Sequence, residues 1–411
     1  FTTLHNKQQA HKIKGLIKVK IFSYCISIFL LIVVILISMY HNKNINKVCD
    51  SHNNAKENIN LNILNNKTST QEMRAIWVPF MSLNMHGTDY SENSFKQKFN
   101  NIIDESKKLN INTLIVQVRP FGDALYKSKY FPWSHILTGE QGKDPGFDPL
   151  LYMINQTHDA GLEFHAWVNP LRIKVNNSPP TIAPNNPYHS FKSNYNYQDI
   201  ILELQNGIYY NPGYSEVRKL IIDGIKEIVE NYPIDAIQID DYFYPPSPAK
   251  PEYDKVCYDS YCSKCSQMPL SLLAFRTTNI NLLISGIYSA IKSVNPSVQF
   301  GIAPEANIQN DINMGADVFT WCSTPGYIDY ICPQVYVSLN HPFFPFAKLL
   351  DTWEKLTQGN HIKVYYGLAA YKAGSNEDSG TWHESDDILK KEIELCRSKG
   401  CDGFMFFSFE D

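Results

Sequence analysis

Carboxyl groups follow short apolar runs of the sequence at positions where they could act on a bound substrate. Asp240 and Asp241 end the segment AIQIDD, and Glu305 follows the run FGIAP. Asp123 stands in the segment RPFGDAL. Glycosidic-bond cleavage needs two carboxyl groups, because one donates a proton to the leaving oxygen and the other acts as nucleophile or as base on water. These residues therefore predict carboxylate acid/base chemistry, of which glycoside cleavage is one example.

The four carboxyl groups are candidates for two roles. Asp240 is the candidate nucleophile or charge-stabilising carboxylate. Asp241 is a poor partner for it in a strand, since neighbouring strand residues point to opposite faces. The proton donor is left open among Glu305, Asp123 and Asp241 after a turn, in that order of preference. Inversion or retention of configuration depends on the distance between the two carboxyl groups, which the sequence does not give.

Side chains alternate along a strand, so the sequence predicts which residues share a face with Asp240. In AIQID, Ala236 and Gln238 lie on that inward face. The same alternation predicts other inward polar or aromatic side chains at strand ends: Gln117, Arg119, His165, Trp167, Asn169, Glu305, Gln334 and Tyr336. Branched apolar side chains normally fill such an interior, so a polar group there needs a reason. For His165 or Gln334 alone, a structural hydrogen-bond network is an equally good interpretation.

Aromatic residues recur in the segments expected around this face. They are Trp133, Trp167, Tyr242, Phe243, Tyr244 and Tyr336. Sugar rings present apolar C–H faces that pack on aromatic rings, while polar side chains bond their hydroxyl and N-acetyl groups. The combination predicts a carbohydrate ligand, although several of these rings are expected to belong to the core. The candidate substrate-binding residues are Arg119, Trp133, His165, Trp167, Asn169, Tyr242, Tyr244, Gln334 and Tyr336.

The elements that must position these residues are short apolar runs alternating with amphipathic stretches. Strands are predicted at residues 74–79, 113–118, 163–168, 236–240, 299–303, 330–335, 364–368 and 403–407. Helices are predicted at residues 92–109, 149–160, 215–232, 270–294, 315–322, 346–356 and 386–398. This alternation predicts an α/β fold over residues 73–411, a (β/α)8 barrel whose ligand face lies at the carboxyl ends of its strands. Long insertions at residues 172–213 and 242–268 are expected to build that face.

The first 72 residues predict a different organisation. Residues 21–40 carry no charge, and such a helix is long enough to cross a hydrocarbon layer of about 30 Å. Lysines are concentrated in residues 1–20, so a cytoplasmic N-terminus and an extracellular or lumenal barrel are expected; a cleaved signal peptide is the alternative. Residues 41–72 are rich in Asn and Lys and predict a flexible stalk. Because the sequence begins with Phe1 and stops after the eighth predicted strand, we expect a longer chain.

Composition limits the partners and cofactors. A net charge of -4 and the lack of a basic stripe argue against a nucleic-acid partner. No motif demands a metal ion or an organic cofactor. The tightest cysteine cluster is Cys257, Cys262 and Cys265. It could begin a zinc site, but no fourth ligand stands at a recognised spacing, so a disulfide in a loop is the preferred interpretation.

The chain resembles the glycosyl hydrolase-like 10 family, formerly called domain of unknown function 187 and typified by bacterial envelope lipoproteins. The matching segments are MRAIWVPF (73–80), VQVRPFGDALYKSKYFPWSHILTGEQGKDPGFDPL (116–150), FHAWVNPLRI (164–173), NPGYSEVR (211–218), IDAIQIDDYFYP (234–245), FGIAPEA (300–306) and IDYICPQVY (328–336). The resemblance extends from residue 73 to the end. It implies a barrel that hydrolyses glycan strands, in particular peptidoglycan strands without their peptides.

The resemblance also implies site residues. The motif residues carried over are Asp240, Arg119, His165, Asn169, Gln334 and Tyr336. Two departures from the family pattern are visible. Relatives commonly have a serine near the position of Ala303, and the acid Glu305 is not part of their usual pattern. Cys49 follows no lipobox, so anchoring through a lipid is not expected here.

Two other classes of function stay open. A carbohydrate-binding pseudo-enzyme would use the same aromatic and polar groups without a proton donor. This alternative stays open because the sequence does not settle which residue is the proton donor. A barrel deacetylase or another metal hydrolase would need a cluster of His and Asp ligands, which His165 alone does not supply.

Overall fold

The computed structural model describes residues 72–240, 243–245 and 252–411. Its strands, in chain order, are β1 (Met73–Val78), β2 (Thr113–Arg119), β3 (Glu163–Val168), β4 (Arg172–Val175), β5 (Ile201–Leu204), β6 (Gly207–Tyr210), β7 (Ala236–Ile239), β8 (Gln299–Ile302), β9 (Tyr330–Ile331), β10 (Lys363–Ala369) and β11 (Gly403–Phe407). Eight of these strands, β1 to β3 and β7 to β11, pair in parallel and close into a barrel. The predicted barrel is confirmed.

Helices follow most barrel strands. They are α1 (Phe80–Leu83), α2 (Glu92–Lys108), α3 (His135–Thr138), α4 (Pro149–Asp159), α5 (Pro187–Lys192), α6 (Ser215–Asn231), α7 (Lys255–Lys264), α8 (Leu272–Val294), α9 (Ile308–Asn313), α10 (Val318–Ser323), α11 (Phe346–Thr357) and α12 (Ile388–Ser398), with 3-10 helices at Ala370–Lys372 and Asp378–His383. Helix α2 is an example of how the local sequence forms these helices. The Ser91 side chain accepts a hydrogen bond from the Ser94 N–H at the start of the helix, and Phe95 and Phe99 lie one turn apart on its buried face.

Two elements differ from the sequence prediction. The helix expected at residues 315–322 begins only at Val318, as α10, and the short helix α9 that precedes it was not expected. The strand expected at residues 330–335 is only the two-residue β9, because Pro333 has no N–H to continue the ladder. Beyond the proline, Gln334 is joined to Glu305 and Gly367 only by isolated bridges.

The core has two layers, one inside the barrel and one between the strands and the helices. The inner layer contains Trp77, Trp167, Tyr330, Tyr365 and Met405, among others. Gly301 makes room for this layer, because a Cβ at that position would lie 1.9 Å from the Tyr330 ring. The interior of the barrel is therefore packed with side chains and is not a pore.

The insertion after β3 forms a separate antiparallel sheet, in the order β4-β6-β5. The insertion after β7 is described from residue 252 onward and contains α7. Cys257 and Cys262 lie in that helix, with Cys265 at its end, and all three are free thiols. The predicted loop disulfide is therefore wrong. Among the described residues, no group of three or more His, Cys, Asp or Glu side chains is arranged to hold a metal ion.

The predicted basic segment, membrane helix and stalk at residues 1–71 lie outside the described residues. Within the part of the chain that the structure describes, none of the helices combines the length and the apolar character needed to span a bilayer.

A buried acid on α12 gives a prediction about stability. Glu392 shares the buried face of this helix with Ile388 and Cys396. Neither of its carboxyl oxygens has a hydrogen-bond partner among the described residues. Burial raises the pKa of Glu392 to about 9. Since the unfolded chain ionises near the ordinary pKa of 4.5, the folded protein loses stability as pH rises from that value to about 9, by up to about 1.4 kcal/mol per pH unit.

Glu392→Gln is therefore expected to match the parent protein in free energy of unfolding near pH 4.5 and to exceed it increasingly toward pH 9. Urea unfolding at several pH values measures this difference. Glu394→Gln is the matched control, because Glu394 lies on the same helix with its side chain 59% exposed. Equal pH profiles for the parent and both variants would contradict the assignment of a neutral buried acid.

Candidate active site

A cavity of about 270 Å³ opens at the carboxyl ends of the barrel strands. Its lining residues are Trp77, Pro79, Phe80, Met81, Gln117, Trp167, Arg172, Asp240, Ala303, Gln334, Tyr336 and Phe407. They come from the ends of β1, β2, β3, β7, β8 and β11 and from the segments that follow. This is the end of the barrel at which enzymes of this fold hold their catalytic groups.

Asp240, directly after β7, is the carboxylate among the described residues that line this cavity, and only 6% of the residue is exposed. The Trp167 indole N–H donates a hydrogen bond to its Oδ2 at 3.2 Å, and the Asn169 amide donates to the same oxygen. The alternation along β7 also holds one step deeper, because Gln238 points into the barrel and accepts the Trp77 indole N–H at 2.6 Å. Strand β7 therefore places a carboxylate oxygen, held by two hydrogen bonds, in the cavity.

A chain of hydrogen bonds fixes the orientation of Asn169. The backbone N–H of Phe80 donates to Gln117 Oε1 at 2.8 Å, so the other end of the Gln117 amide is a donor. That Nε2 donates to Asn169 Oδ1, which leaves the Asn169 amide NH2 facing Asp240. Because a backbone N–H is always a donor, the Phe80 N–H sets the direction of donation along this series of hydrogen bonds. The series ends with two N–H groups directed at one carboxylate oxygen, the arrangement expected around an ionised acid.

Aromatic rings form a wall of the cavity around Phe407. The rings of Trp77, Trp167 and Tyr336 lie 6.0, 6.4 and 5.8 Å from the Phe407 ring, measured between centroids. Tyr371 stands at 6.2 Å from the same ring. Rings beside a carboxylate and amide groups can pack on the C–H face of a sugar while polar groups bond its hydroxyls.

Sequence reasoning did not select Trp77, Arg172 or Phe407, although all three line the cavity. The alternation of side chains along the first and last barrel strands, like that along β7, would have predicted that Trp77 and Phe407 face inward. Arg172 lies at the start of β4, and its guanidinium packs over the Phe121 ring at 5.7 Å. No periodicity would have found it, because it follows an irregular segment.

Glu305 lies beside this cavity, in a second one of about 260 Å³. Both cavities are lined by Gln334 and Tyr336. Glu305 is half-buried, and its carboxylate accepts a hydrogen bond from the Asn310 side chain. The backbone N–H of Glu305 donates to Asp311 at 3.1 Å. The structure therefore brings Glu305 next to the Asp240 cavity, separated from it by residues that both cavities share.

Arg119 points away from the barrel interior, so the inward orientation predicted for it is wrong. The pairing of β2 with β3 shifts between Gln117 and Arg119, and such a bulge reverses the alternation beyond it. The guanidinium packs over the Phe131 ring at 4.3 Å and close to Gly224 of α6, outside the barrel. Burial lowers the pKa of Arg119.

Asp123 and Trp133 also lie away from the cavities. Asp123 is fully buried and accepts a hydrogen bond from Gln141 at 2.9 Å, with His135 Nδ1 3.3 Å from the same oxygen. These contacts occupy it as a structural carboxylate, so the structure does not support it as the proton donor. Trp133 is half-buried and packs against the outer core.

His165 and Tyr244 are core residues in the structure. His165 has the predicted inward face but lies two residues below Trp167, about 6.6 Å deeper along β3, and its Nδ1 is 3.1 Å from the Tyr330 hydroxyl. Tyr244 is buried against Tyr253, which raises the pKa of its phenol. The structural interpretation of His165 fits these contacts. Asp241 and Tyr242 lie outside the described residues.

The fold and the cavity define a class of protein: a (β/α)8 barrel with an aromatic, carboxylate-bearing cavity at the carboxyl ends of its strands. The chain belongs to the glycosyl hydrolase-like 10 family, whose model matches residues 72–384. It is 34% identical over 379 residues to glycosyl hydrolase YngK of Bacillus subtilis, covering 86% of this chain and 71% of that protein. It is 31% identical over 357 residues to glycosyl hydrolase DigH of Escherichia coli, covering 80% of each. The family resemblance seen in the sequence is confirmed.

Solved structures share the fold at low sequence identity. The glycoside hydrolase domain of PgaB (BpsB) from Bordetella bronchiseptica superimposes with a TM-score of 0.54 at 12% identity, covering 82% of this chain and 94% of that domain. Alpha-L-fucosidase isoenzyme 2 from Paenibacillus thiaminolyticus gives 0.53 at 12% identity, covering 82% and 46%. At this identity the likeness concerns the barrel and not the chemistry.

Proposed function

We propose that this protein is a glycoside hydrolase that cleaves O-glycosidic bonds of a polysaccharide by carboxylate acid/base catalysis. The observation that carries the proposal is Asp240, held by two N–H donors in a cavity walled by aromatic rings. Family membership and the names of the two bacterial relatives support the same activity.

In the proposed reaction, Asp240 is the nucleophile or the carboxylate that stabilises positive charge developing on the sugar ring. Its Oδ2 accepts two hydrogen bonds, which suits an ionised group better than a proton donor. Glu305 is assigned the second role, protonation of the leaving oxygen, because it is the described carboxylate in the adjoining cavity. Asp123 is not assigned this role, because it is buried and accepts a hydrogen bond from Gln141.

The proposed substrate is a peptidoglycan-type glycan, N-acetylated and free of peptide, as the family resemblance implies. The test compares peptide-free strands, peptide-bearing strands and an unrelated neutral polysaccharide, with soluble products separated by chromatography. Oligosaccharides released from the peptide-free strands alone support the substrate class. Binding of the strands without any product would indicate a carbohydrate-binding protein instead of an enzyme.

Asn169→Ala tests how Asp240 is held. The substitution removes one of the two hydrogen bonds to Oδ2 and ends the chain that begins at the Phe80 N–H. A hydrogen bond to a charged group contributes about 1.5–3 kcal/mol, so we expect kcat on peptide-free strands to fall at least 10-fold with a smaller change in KM. Steady-state kinetics with a melting-temperature control measures this, and an unchanged kcat in a folded variant would contradict the proposed role.

A further inference from the structure

We propose that the second cavity, beside Glu305, is a binding subsite for the next sugar of the chain, on the leaving-group side of the cleaved bond. This inference rests on the proposed function, since it assigns the neighbouring part of the same glycan to a place beside Asp240. It makes the protein a binder of chains that span both cavities.

The two cavities adjoin at the barrel mouth, where they share lining residues. Gln334 and Tyr336 line both of them, with Asp240 on one side and Glu305 on the other. The Gln334 amide is fixed by donating to the Ala303 carbonyl at 2.9 Å. A sugar chain that crosses from one cavity to the other would place its linking oxygen between the two carboxyl groups, as two-carboxylate cleavage requires.

The second cavity has the chemistry of a sugar site. Its lining residues are Glu305, Ala306, Asn307, Gln334, Tyr336, Val337, Phe344 and Leu349. Phe344 supplies an apolar ring that is 45% exposed, and an aromatic ring in a concave site can pack on the C–H face of a sugar. Carboxylate and amide groups stand around it for hydroxyl groups to bond.

The loop that carries Phe344 is braced before any ligand arrives. The backbone N–H groups of Phe343 and Phe344 both donate to His341 Nδ1, at 3.3 and 3.0 Å. Ser338 and Thr381 join this loop to the next one through their hydroxyls at 2.6 Å. Little conformational freedom is therefore left to lose on binding.

The test measures glycan binding and cleavage separately. Peptide-free oligosaccharides of two, four and six sugars are titrated calorimetrically into the full chain carrying Asp240→Asn, with and without Phe344→Ala. Phe343→Ala is the matched control, because Phe343 is 77% exposed in the same loop but is not among the described residues lining the cavity. Cleavage of the same oligosaccharides is measured with Phe344→Ala and Phe343→Ala in the otherwise unchanged protein.

We expect Phe344→Ala to weaken binding of the longer oligosaccharides about 10-fold, which corresponds to about 1.4 kcal/mol, and to change disaccharide binding less than about 2-fold. Phe343→Ala should change neither. An equal loss for all lengths, an equal loss for both variants, or no loss would overturn the subsite. If the length-dependent loss is seen although the parent protein releases no products, the subsite stands and the proposed catalysis fails.

Discussion

Replacing Asp240 with asparagine is expected to lower kcat on peptide-free glycan strands by roughly 10³-fold while the affinity for the strands stays within a few-fold. The asparagine side chain keeps the size of aspartate, so the cavity and its aromatic wall remain. It cannot attack the sugar or carry the negative charge that stabilises the transition state. Steady-state rates of reducing-end release, together with calorimetric binding, separate the two effects.

Asp123→Asn is the control for this variant. Asp123 is fully buried and lies away from the cavity, beside Gln141 and His135, so kcat should remain within a few-fold of the parent value if the protein folds. A large loss of kcat in a folded Asp123 variant, with an active Asp240 variant, would move the reaction away from the proposed cavity.

Glu305→Gln is expected to lower kcat on unmodified glycans by about 10²-fold or more, because glutamine cannot donate a proton to the leaving oxygen. The loss should be far smaller for a glycoside with an activated aryl leaving group, which departs without protonation. Rates for both substrates, measured in parallel over a range of pH, give the comparison.

The comparison of leaving groups distinguishes the loss of a proton donor from a structural change in the cavity. A distorted cavity would slow both substrates equally, and that result would remove Glu305 from the role of proton donor. Asn310 donates to the Glu305 carboxylate, so a variant that displaces the carboxylate without removing it, Asn310→Ala, should reduce kcat by less than Glu305→Gln.

The barrel could be predicted from the sequence because its cause is local. Apolar runs with a period of two alternate with helical stretches along residues 73–411, and this order leaves few ways to bury both faces of a sheet. The face of Asp240 was predictable for the same reason, since Ala236, Gln238 and Asp240 share one parity. Strand β9 is shorter than its apolar run predicts, because Pro333 has no N–H to continue the ladder.

The details of the site could not be predicted where they depend on irregular backbone or on depth. A bulge between Gln117 and Arg119 turns the arginine out of the barrel, and no residue type in this segment predicts the bulge. Alternation gives the face of a side chain but not its height, so His165 shares a face with Trp167 and still lies in the core. The position of Glu305 beside the cavity depends on how the segments after β8 and β9 pack.

The central claim is that the Asp240 cavity hydrolyses a glycosidic bond, and isotope incorporation tests it most directly. The full chain and its Asp240→Asn variant are incubated with peptide-free glycan strands in oxygen-18 water, and the products are analysed by mass spectrometry. The account predicts short oligosaccharides from the unchanged protein only, each new reducing end carrying one heavy oxygen from water. Products without the heavy oxygen, or equal products from the Asp240 variant, would contradict it.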